Sequence, residues 1–414
     1  MTRLFVLVFL LTACGSSADE SNEKDSIKLI TEAELADRLV VKDEEVPILA
    51  LPEESSLHAA NLALQLRLIG EVDAPEIDGT TVQATDVIID SRYAFVSYNV
   101  QGETQRGALD AIDIAQLSNP RLVSELQFGE RDVNAVARRR NQLYITGATQ
   151  DGGAYVATMS HSRGSLSDDV SFDEDLPSFA GTDVDVDRNT LWVTSGDAGG
   201  IYSYATNGFN RTGSVEISDA RAVDTSGGTV ATLSGGPATI RLLDDSAIEE
   251  TFEIGGANTP ESKSTIQLGG RWAAASVGEE GWKIICLADG ETIHHEPAVE
   301  VSGLPPEKTV TNAVSVSGSL LYAANGEAGV YVYRLRNTGG NSCRRLSVEA
   351  LGYISLGEGL SANHVMARFS AVFVADGLGG LKILRRSGGF TDDDIDDFDD
   401  DDDDEDEDNN DDND

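Results

Sequence analysis

The fold is decided by a unit of four short apolar stretches that first occurs at residues 85–126. The unit reads Thr85-Asp86-Val87-Ile88-Ile89, then Tyr93-Ala94-Phe95-Val96, then Ala108-Leu109-Asp110-Ala111-Ile112, and then Arg121-Leu122-Val123-Ser124-Glu125-Leu126. Each stretch is rich in residues that favour extended chain, and turn-forming residues lie between the stretches. The unit therefore predicts four consecutive antiparallel strands.

The unit occurs seven times in all, with anchor spacings of 38 to 51 residues. Four strands per repeat at this spacing are typical of a β-propeller. The seventh copy ends after three strands at about Arg386, and a separate strand at Leu66–Val72 precedes the first copy. We therefore predict an all-β, seven-bladed β-propeller over residues 66–390, in which the N-terminal strand completes the last blade. Such closure removes sheet edges that would otherwise be exposed.

The first unit also resembles a known repeat family. Gly107–Ile114, followed by Leu117-Ser118-Asn119-Pro120, resembles the LVIVD repeat of secreted bacterial propellers, in which a small residue and an Asn-Pro step follow the third strand. The other units keep only the strand rhythm and the glycine before the third strand. The resemblance implies an exported, often surface-associated propeller and does not imply a particular chemistry.

The first residues predict export and lipid attachment. Residues 1–13 have the features of a signal peptide, because the apolar run Leu4–Leu11 is too short to cross a bilayer. Leu11-Thr12-Ala13-Cys14 resembles the bacterial lipobox, which implies a lipid on Cys14 and a location in the cell envelope. Gly15 in the second mature position implies sorting to the outer membrane. The alternative is an ordinary signal peptide that contains a cysteine.

Two further segments differ in composition from the repeats. Residues 14–65 are polar and predict a tether, in which Thr31-Glu32-Ala33-Glu34 favours a short helix to about Val40 and Ser56–Leu66 favours a second one. Residues 391–414 contain 18 acidic and no basic side chains. Like charges repel and little apolar surface is present, so we expect this tail to be disordered.

Charge excludes two classes of function. The chain has 414 residues and a formal net charge of −42, with 72 acidic and 30 basic side chains. Nucleic-acid binding requires clustered cations that neutralise phosphates, and docking on anionic lipid has the same requirement. Neither nucleic acid nor a peripheral electrostatic membrane role is therefore expected, whereas membrane attachment through Cys14 is compatible with the charge.

Catalytic signatures are scarce. The sequence contains no G-x-S-x-G, C-x-x-C or H-E-x-x-H motif. The adjacent pair His294-His295 would point to opposite faces of a strand, which is poor geometry for one metal ion. These observations favour a binding or scaffold module with a protein or small-ligand partner over an enzyme.

The residues that open the innermost strands are the candidate site. They are predicted to surround one mouth of the central channel: Asp86, Asn134, Asp183, Arg221, Ser264, Asn312 and Asn363, with His364 beside the last of them. Carboxylate and amide oxygens suit Ca²⁺, which makes a Ca²⁺-dependent hydrolase or lactonase the alternative function. Arg221 would weaken a cation site and favour an anionic ligand. The competing interpretation is that these polar side chains hydrogen-bond to nearby backbone groups.

Cys286 and Cys343 are the only cysteines besides Cys14. An exported protein can form disulfides. The predicted strand positions put both thiols near the same face, on adjacent blades. The sequence leaves open whether they are close enough to be bridged.

Overall fold

The computed structural model describes residues 27–51, 64–90, 92–244, 247–256, 262–337 and 342–387. These residues form seven antiparallel sheets around a central channel and one short hairpin. The predictions for the signal peptide, for Cys14 and for the acidic tail lie outside the described residues.

The N-terminal elements precede the repeats. They are β1 (Ile27–Thr31), α1 (Glu32–Leu35), β2 (Leu39–Val46), β3 (Gln65–Val72) and the hairpin of β4 (Glu76–Ile77) and β5 (Thr80–Thr81).

Each blade then takes four strands, which run in order from the channel to the rim. Blade 1 contains β6 (Gln83–Ile89), β7 (Tyr93–Asn99), β8 (Gly107–Asp113) and β9 (Arg121–Phe128). Blade 2 contains β10 (Ala135–Arg139), β11 (Gln142–Ala148), β12 (Ala154–Ser162) and β13 (Ser165–Leu176). Blade 3 contains β14 (Gly181–Asp187), β15 (Thr190–Ser195), β16 (Gly200–Ala205) and β17 (Arg211–Glu216). Blade 4 contains β18 (Ala220–Ser226), β19 (Thr229–Ser234), β20 (Thr239–Asp244) and β21 (Ala247–Glu253).

The remaining three blades repeat the pattern. Blade 5 contains β22 (Ile266–Leu268), β23 (Trp272–Ser276), β24 (Trp282–Cys286) and β25 (Thr292–Glu296). Blade 6 contains β26 (Ala313–Ser317), β27 (Leu320–Ala324), β28 (Val330–Asn337) and β29 (Leu346–Ile354). Blade 7 contains β30 (His364–Arg368), β31 (Ala371–Ala375) and β32 (Leu381–Ser387). Two single 3₁₀ turns, at Pro306–Lys308 and Cys343–Arg345, lie in the loops before β26 and β29.

The ring closes as the sequence predicts. The innermost strands of consecutive blades contact one another, and β30 of blade 7 contacts β6 of blade 1. β3 pairs with β32, with Leu68 opposite Leu384 and Val72 opposite Leu381, so the N-terminal strand supplies the fourth strand of blade 7. The prediction of a seven-bladed propeller with this closure is confirmed.

The predicted tether is wrong for residues 27–46. The capping box of Thr31 and Glu34 is present, but the helix ends at Leu35. β1 adds to the outer edge of blade 1 and β2 adds to the outer edge of blade 7. Both edges offer unpaired backbone N–H and C=O groups, and pairing with them stabilises an extended chain more than one helical turn is stabilised. The second predicted helix falls mostly outside the described residues, and Gln65 already begins β3.

The recurring glycine before the third strand of a blade has a steric cause. A Cβ atom on Gly200 would lie 2.0 Å from the carbonyl oxygen of Val215 in the outer strand. The corresponding distances are 2.0 Å from Gly281 to the oxygen of Glu296 and 2.2 Å from Gly329 to the oxygen of Ile354. Only glycine lets the outer strand approach this closely, so the residue sets the spacing of strands inside the blade.

Candidate functional site at the mouth of the channel

The predicted ring residues lie together at one end of the channel. The innermost strands begin at this end, which we call the mouth. A cavity of about 1500 Å³ opens there and is lined by residues from all seven blades. Four ring residues line it: Asn134, Arg221, Asn312 and Asn363.

A belt of side-chain donors connects every blade to the next at the mouth. Each donor bonds to a backbone carbonyl near the start of the neighbouring innermost strand. The seven bonds are Thr85 Oγ1 to Val133 O (3.0 Å), Asn134 Nδ2 to Gly181 O (2.9 Å), Thr182 Oγ1 to Ala220 O (2.9 Å), Arg221 Nη1 to Ser262 O (3.1 Å), Ser276 Oγ to Asn312 O (3.0 Å), Asn312 Nδ2 to Ala362 O (3.2 Å) and Asn363 Nδ2 to Ala84 O (2.9 Å).

A second belt supplies acceptors for backbone N–H groups of the next blade. Its bonds are Val136 N to Asp86 Oδ2 (3.1 Å), Val223 N to Asp183 Oδ2 (3.1 Å), Leu268 N to Asp224 Oδ2 (2.6 Å), Val314 N to Thr265 Oγ1 (3.1 Å) and Ala367 N to Ser315 Oγ (3.0 Å). The channel edge of each innermost strand has no partner strand, so its backbone groups need side-chain partners. The Asp and Asn side chains at strand starts therefore hold neighbouring blades together.

Ser264 stands apart from both belts. Its hydroxyl lies 3.3 Å from Ser262 Oγ, within the same loop, and the neighbouring Thr265 supplies the blade-to-blade acceptor. Ser264 lies two residues before β22, and Thr265 rather than Ser264 makes the bond to blade 6.

Lys263 lines the cavity and reaches across the channel. Its Nζ lies 3.0 Å from Asp86 Oδ1 and donates to the carbonyl oxygens of Thr85 (3.2 Å) and Asn134 (3.3 Å). The side chain starts on blade 5 and reaches blades 1 and 2, and only 14% of it is exposed. The sequence gives no repeat-based signal for this lysine, because it lies one residue before the position that the repeat aligns. Its ammonium group contacts Asp86, one of the carboxylates that the Ca²⁺ alternative would use as a ligand.

The charge of Lys263 lowers the pKa values of two nearby carboxyl groups, those of Asp86 and Asp183, against the effect of burial. Burial alone would raise the pKa of Asp86, but the charges of Lys263 and His364 and the N–H of Val136 hold that pKa below its ordinary value. Asp183 also lies near Lys263, yet burial dominates and raises its pKa to about 7, with the charge of Asp86 acting in the same direction. Asp86 is therefore ionised and neutralised within the protein, and Asp183 titrates near neutral pH.

His364 connects blade 7 to blade 1. Its Nδ1 lies 3.0 Å from Asp86 Oδ1. Burial and the nearby charge of Lys263 lower the pKa of His364 to about 4, against the opposing effect of Asp86. The imidazole is therefore neutral at neutral pH, and its Nδ1 accepts a hydrogen bond from the backbone N–H of Val87 at 3.3 Å.

The upper part of the cavity has a different character. Asp197, Glu253 and Glu307 line it with exposed carboxylates, and Phe179 is 67% exposed there. The lining cations are mostly engaged: Arg221 pairs with Asp219 at 3.0 Å, and Lys308 pairs with Glu327 at 2.7 Å.

Arg241 is the exception among the lining cations. Its Nη1 donates to Ser234 Oγ at 2.7 Å, and it makes no ion pair with a described residue. The accessible rim is therefore acidic, with one exposed aromatic ring and one cation deeper on blade 4.

The two cysteines lie at the opposite end of the blades. Cys286 ends β24 of blade 5, and Cys343 precedes β29 of blade 6. They form a disulfide whose Cα atoms are 5.6 Å apart, which joins the two blades as the strand positions suggested. The link lies away from the mouth and takes no part in the cavity.

Neither a metal-binding cluster nor a membrane-spanning helix occurs within the described ranges. No group of three or more His, Cys, Asp or Glu side chains among these residues has the arrangement of a metal site. No helix in the described part of the chain is long and apolar enough to cross a membrane.

The fold and the mouth define a β-propeller with a polar, blade-spanning cavity. No family model and no curated relative matches the chain, and the resemblance to LVIVD repeats therefore stays a prediction. The chain is similar in structure to the WD40 repeats of RRP9, with a TM-score of 0.57, 10% identity, and coverage of 76% of this chain and 98% of that one. It is also similar to U3-55K, with a TM-score of 0.55, 10% identity and the same coverage. At this identity the similarity establishes the propeller fold alone.

Proposed function

We propose that this protein is a binding module of the cell envelope that captures a cationic segment of a partner protein at its mouth. The observation that carries the proposal is the cavity of about 1500 Å³, whose lining draws on every blade. A concave site assembled from many elements is the usual form of a recognition surface.

The chemistry of the rim selects the partner. Asp197, Glu253 and Glu307 offer exposed carboxylates, while three of the four lining cations are already paired inside the protein. Lys or Arg side chains of a partner would therefore meet favourable charge, and such complementarity speeds encounter and selects among partners. Phe179 adds an apolar contact, so a segment with both basic and aromatic residues fits best.

A Ca²⁺-dependent hydrolase is not favoured by the site. The carboxylate of Asp86 already has an internal counter-ion in Lys263, and the amides of Asn134, Asn312 and Asn363 donate to backbone carbonyls. A Ca²⁺ ion at Asp86 would have to displace Lys263, and the amide oxygens of Asn134 and Asn363 already accept hydrogen bonds from Asn99 and Ser361.

The envelope location rests on the sequence. The lipobox-like run ending at Cys14 implies a diacylglycerol anchor, Gly15 implies the outer membrane, and the LVIVD resemblance implies export. The disulfide between Cys286 and Cys343 is of the kind that persists in oxidising compartments, which supports export. Metabolic labelling with radioactive palmitate tests the anchor, and a Cys14→Ser variant labelled as strongly as the parent would contradict it.

The mouth is tested with a fluorescent peptide that alternates Lys and Phe, and a Glu–Phe peptide serves as the matched control. Anisotropy should show saturable binding of the basic peptide only. A rim variant neutralises three carboxylates, with Asp197→Asn, Glu253→Gln and Glu307→Gln. It should weaken the affinity for the basic peptide by about tenfold or more, because each exposed contact contributes about a few tenths of a kcal/mol to one kcal/mol.

A second variant distinguishes the effect of the rim carboxylates from the effect of net charge. It makes the same change in charge on the two outer strands of blade 4, with Asp244→Asn, Glu249→Gln and Glu250→Gln, all of which are exposed. Its Kd should stay within about twofold of the parent. Equal weakening in both variants, or no binding of the basic peptide, would reject the mouth as a cationic-peptide site.

A further inference from the structure

The end of the blades opposite the mouth concentrates arginines in an otherwise acidic protein. The turns that follow the innermost strands and the third strands all lie at this end, because consecutive strands are antiparallel. Seven arginines on blades 7, 1, 2 and 3 belong to these strand ends and turns. We call them the arginine face: Arg92, Arg138, Arg139, Arg140, Arg163, Arg188 and Arg368.

Contacts across three blades bring part of this face together. Arg138 of blade 2 pairs with Asp90 of blade 1 at 2.8 Å. Arg368 of blade 7 donates to the carbonyl oxygen of Ile89, the residue before Asp90, at 3.2 Å. Burial lowers the pKa of Arg138, and the charge of Arg368 lowers it further, as expected of two neighbouring cations.

The hairpin at Arg163 joins the same face. The guanidinium of Arg92 lies 5.4 Å from the centroid of the Tyr93 ring. Gly164 approaches that ring so closely that a Cβ atom would lie 2.8 Å from it. Arg163 precedes Gly164 in the two-residue turn between β12 and β13, so this turn lies against the same ring that Arg92 contacts.

The face has more positive charge than its own carboxylates neutralise. Asp90 is engaged with Arg138, and Asp113 with Arg92 at 3.1 Å and with Arg121 at 2.9 Å. The innermost strand of blade 3 ends at Asp187, and Asp168 and Asp169 lie further out on β13. Within the described ranges, three arginines make no ion pair: Arg139, Arg163 and Arg188.

The backbone conformation of the turns on the arginine face does not favour the arginine and phenylalanine residues found there. Arg140, Arg163, Arg188 and Phe369 have φ values of 54°, 54°, 45° and 52°. Side chains other than Asn and Asp rarely adopt this left-handed region, and glycine or asparagine would fit at lower energy. Phe369 is also 75% exposed. The turns therefore carry charge and an aromatic ring at a conformational cost.

The last described strand ends at this face. β32 ends at Ser387, and the N–H of Arg386 donates to the carbonyl oxygen of Ser370, next to Phe369, at 2.7 Å. Asp392, the first acidic residue after β32, follows Ser387 by five residues, which span at most about 17 Å. The acidic segment therefore begins close to the arginine face, at an effective concentration in the millimolar range.

We propose that residues 392–414 bind back onto the arginine face of their own propeller. Eighteen carboxylates meet a surface with unpaired arginines, and Ile395 and Phe398 supply apolar contacts for Phe369. The segment covers a cationic surface that would otherwise attract anionic polymers or lipid headgroups, and it leaves the mouth free.

The experiment uses a fluorescein-labelled peptide of residues 392–414. All seven blades are complete without the tail, so a protein truncated before Thr391 can be compared with the full chain. Fluorescence anisotropy should give a Kd for the truncated protein that is at least tenfold tighter than for the full chain, in which the tethered segment competes. Higher salt should weaken binding. No binding by the truncated protein, or equal binding by both proteins, would overturn the proposal.

A matched pair of variants assigns the site. One variant of the truncated protein removes three charges with residues that suit the left-handed turns: Arg140→Asn, Arg163→Asn and Arg188→Asn. The affinity for the peptide should weaken by about tenfold or more. The control removes three positive charges at the mouth end with Arg106→Asn, Arg131→Asn and Lys308→Asn. Equal weakening in the control would show that net charge alone acts, and would overturn the proposal.

Two further measurements use the unaltered propeller, so misfolding of a variant cannot affect them. One tests the charge of the peptide and the other tests binding to lipid vesicles. A peptide with every Asp and Glu replaced by Asn and Gln tests the charge requirement on the unaltered propeller, and it should not bind. Vesicles containing phosphatidylglycerol should bind the truncated protein more strongly than the full chain. Equal vesicle binding would show that the arginine face is open in the full chain, which contradicts the proposal.

Discussion

Arg38 should be among the most sensitive positions for stability. It lies in the turn between α1 and β2, where the N-terminal segment passes from blade 1 to blade 7. Its guanidinium donates to Asp110 Oδ1 at 3.1 Å and Oδ2 at 2.8 Å, to Glu125, and to the carbonyl oxygen of Asp73 at 3.0 Å. The side chains of Asp110 and Glu125 are 0% and 1% exposed, so Arg38 is the counter-ion of two buried carboxylates.

The magnitude follows from leaving those charges without a partner. Removing one member of a buried ion pair typically costs about 3–5 kcal/mol. Burial and the charge of Asp110 already raise the pKa of Glu125 to about 7 with Arg38 present. We therefore expect Arg38→Met to lower the free energy of unfolding by about 4 kcal/mol at pH 8.

The loss should depend on pH. Without Arg38 the folded-state pKa of Glu125 rises further above its unfolded value. The folded protein then binds more protons than the unfolded chain, so stability falls as pH rises, by up to about 1.4 kcal/mol per pH unit for each proton. The deficit of Arg38→Met should therefore be smaller at pH 6 than at pH 8.

Urea unfolding followed by tryptophan fluorescence measures these differences. Arg67→Met is the matched control, because it removes an ion pair with Asp43 that is exposed on the outer strands of blade 7, and little change is expected. Combining Arg38→Met with Asp110→Asn and Glu125→Gln should recover most of the loss. A loss below about 1 kcal/mol, a loss independent of pH, or no recovery would refute the reasoning.

Three further predictions concern other parts of the molecule. Replacing Cys286 and Cys343 by alanine should lower the free energy of unfolding by about 4 kcal/mol, because the bridge closes a loop of 57 residues, and an unchanged urea midpoint would contradict this. Asp376 is buried, neither of its carboxylate oxygens has a partner among the described residues, and burial raises its pKa to about 7. The gain in free energy of unfolding from Asp376→Asn should therefore be near zero below pH 4, grow as the pH rises to 7, and reach about 4 kcal/mol above pH 7. A gain that does not change with pH, measured at four pH values, would contradict this prediction. Lys263→Met should cost about 3–5 kcal/mol by leaving Asp86 buried without its counter-ion, and adding Asp86→Asn should recover most of it; a lack of recovery in thermal unfolding would count against this pairing.

The two ends of the propeller differ in charge in a way that composition conceals. The mouth rim has exposed carboxylates, whereas the opposite end carries the arginine face. Net charge therefore describes neither surface. Charge counted along the chain does not reveal this difference, because neighbouring turns of different blades are about 40 to 50 residues apart in the sequence.

Some predictions from the sequence succeeded because their cause is local. Strand patterns and turn residues recur in each unit, and they determine a blade before any blade meets another. The assignment of residues 27–46 to a tether was wrong because the signal there is not local. Residues 27–46 are polar and contain a capping box, so their local sequence predicts a helix and a linker. In the structure they form β1 and β2, because they pair with the unpaired edges of blades 1 and 7.

The sequence by itself determined the number of blades, the strand that closes the ring and the position of the polar residues around the mouth. Tertiary structure alone decided what those residues do. Asp86 meets a lysine 177 positions away, and Asn363 donates to a carbonyl 279 positions away. Hydrogen bonds and ion pairs depend on distances of about 3 Å between atoms of different blades. Repeat periodicity specifies each blade but not the contacts between blades.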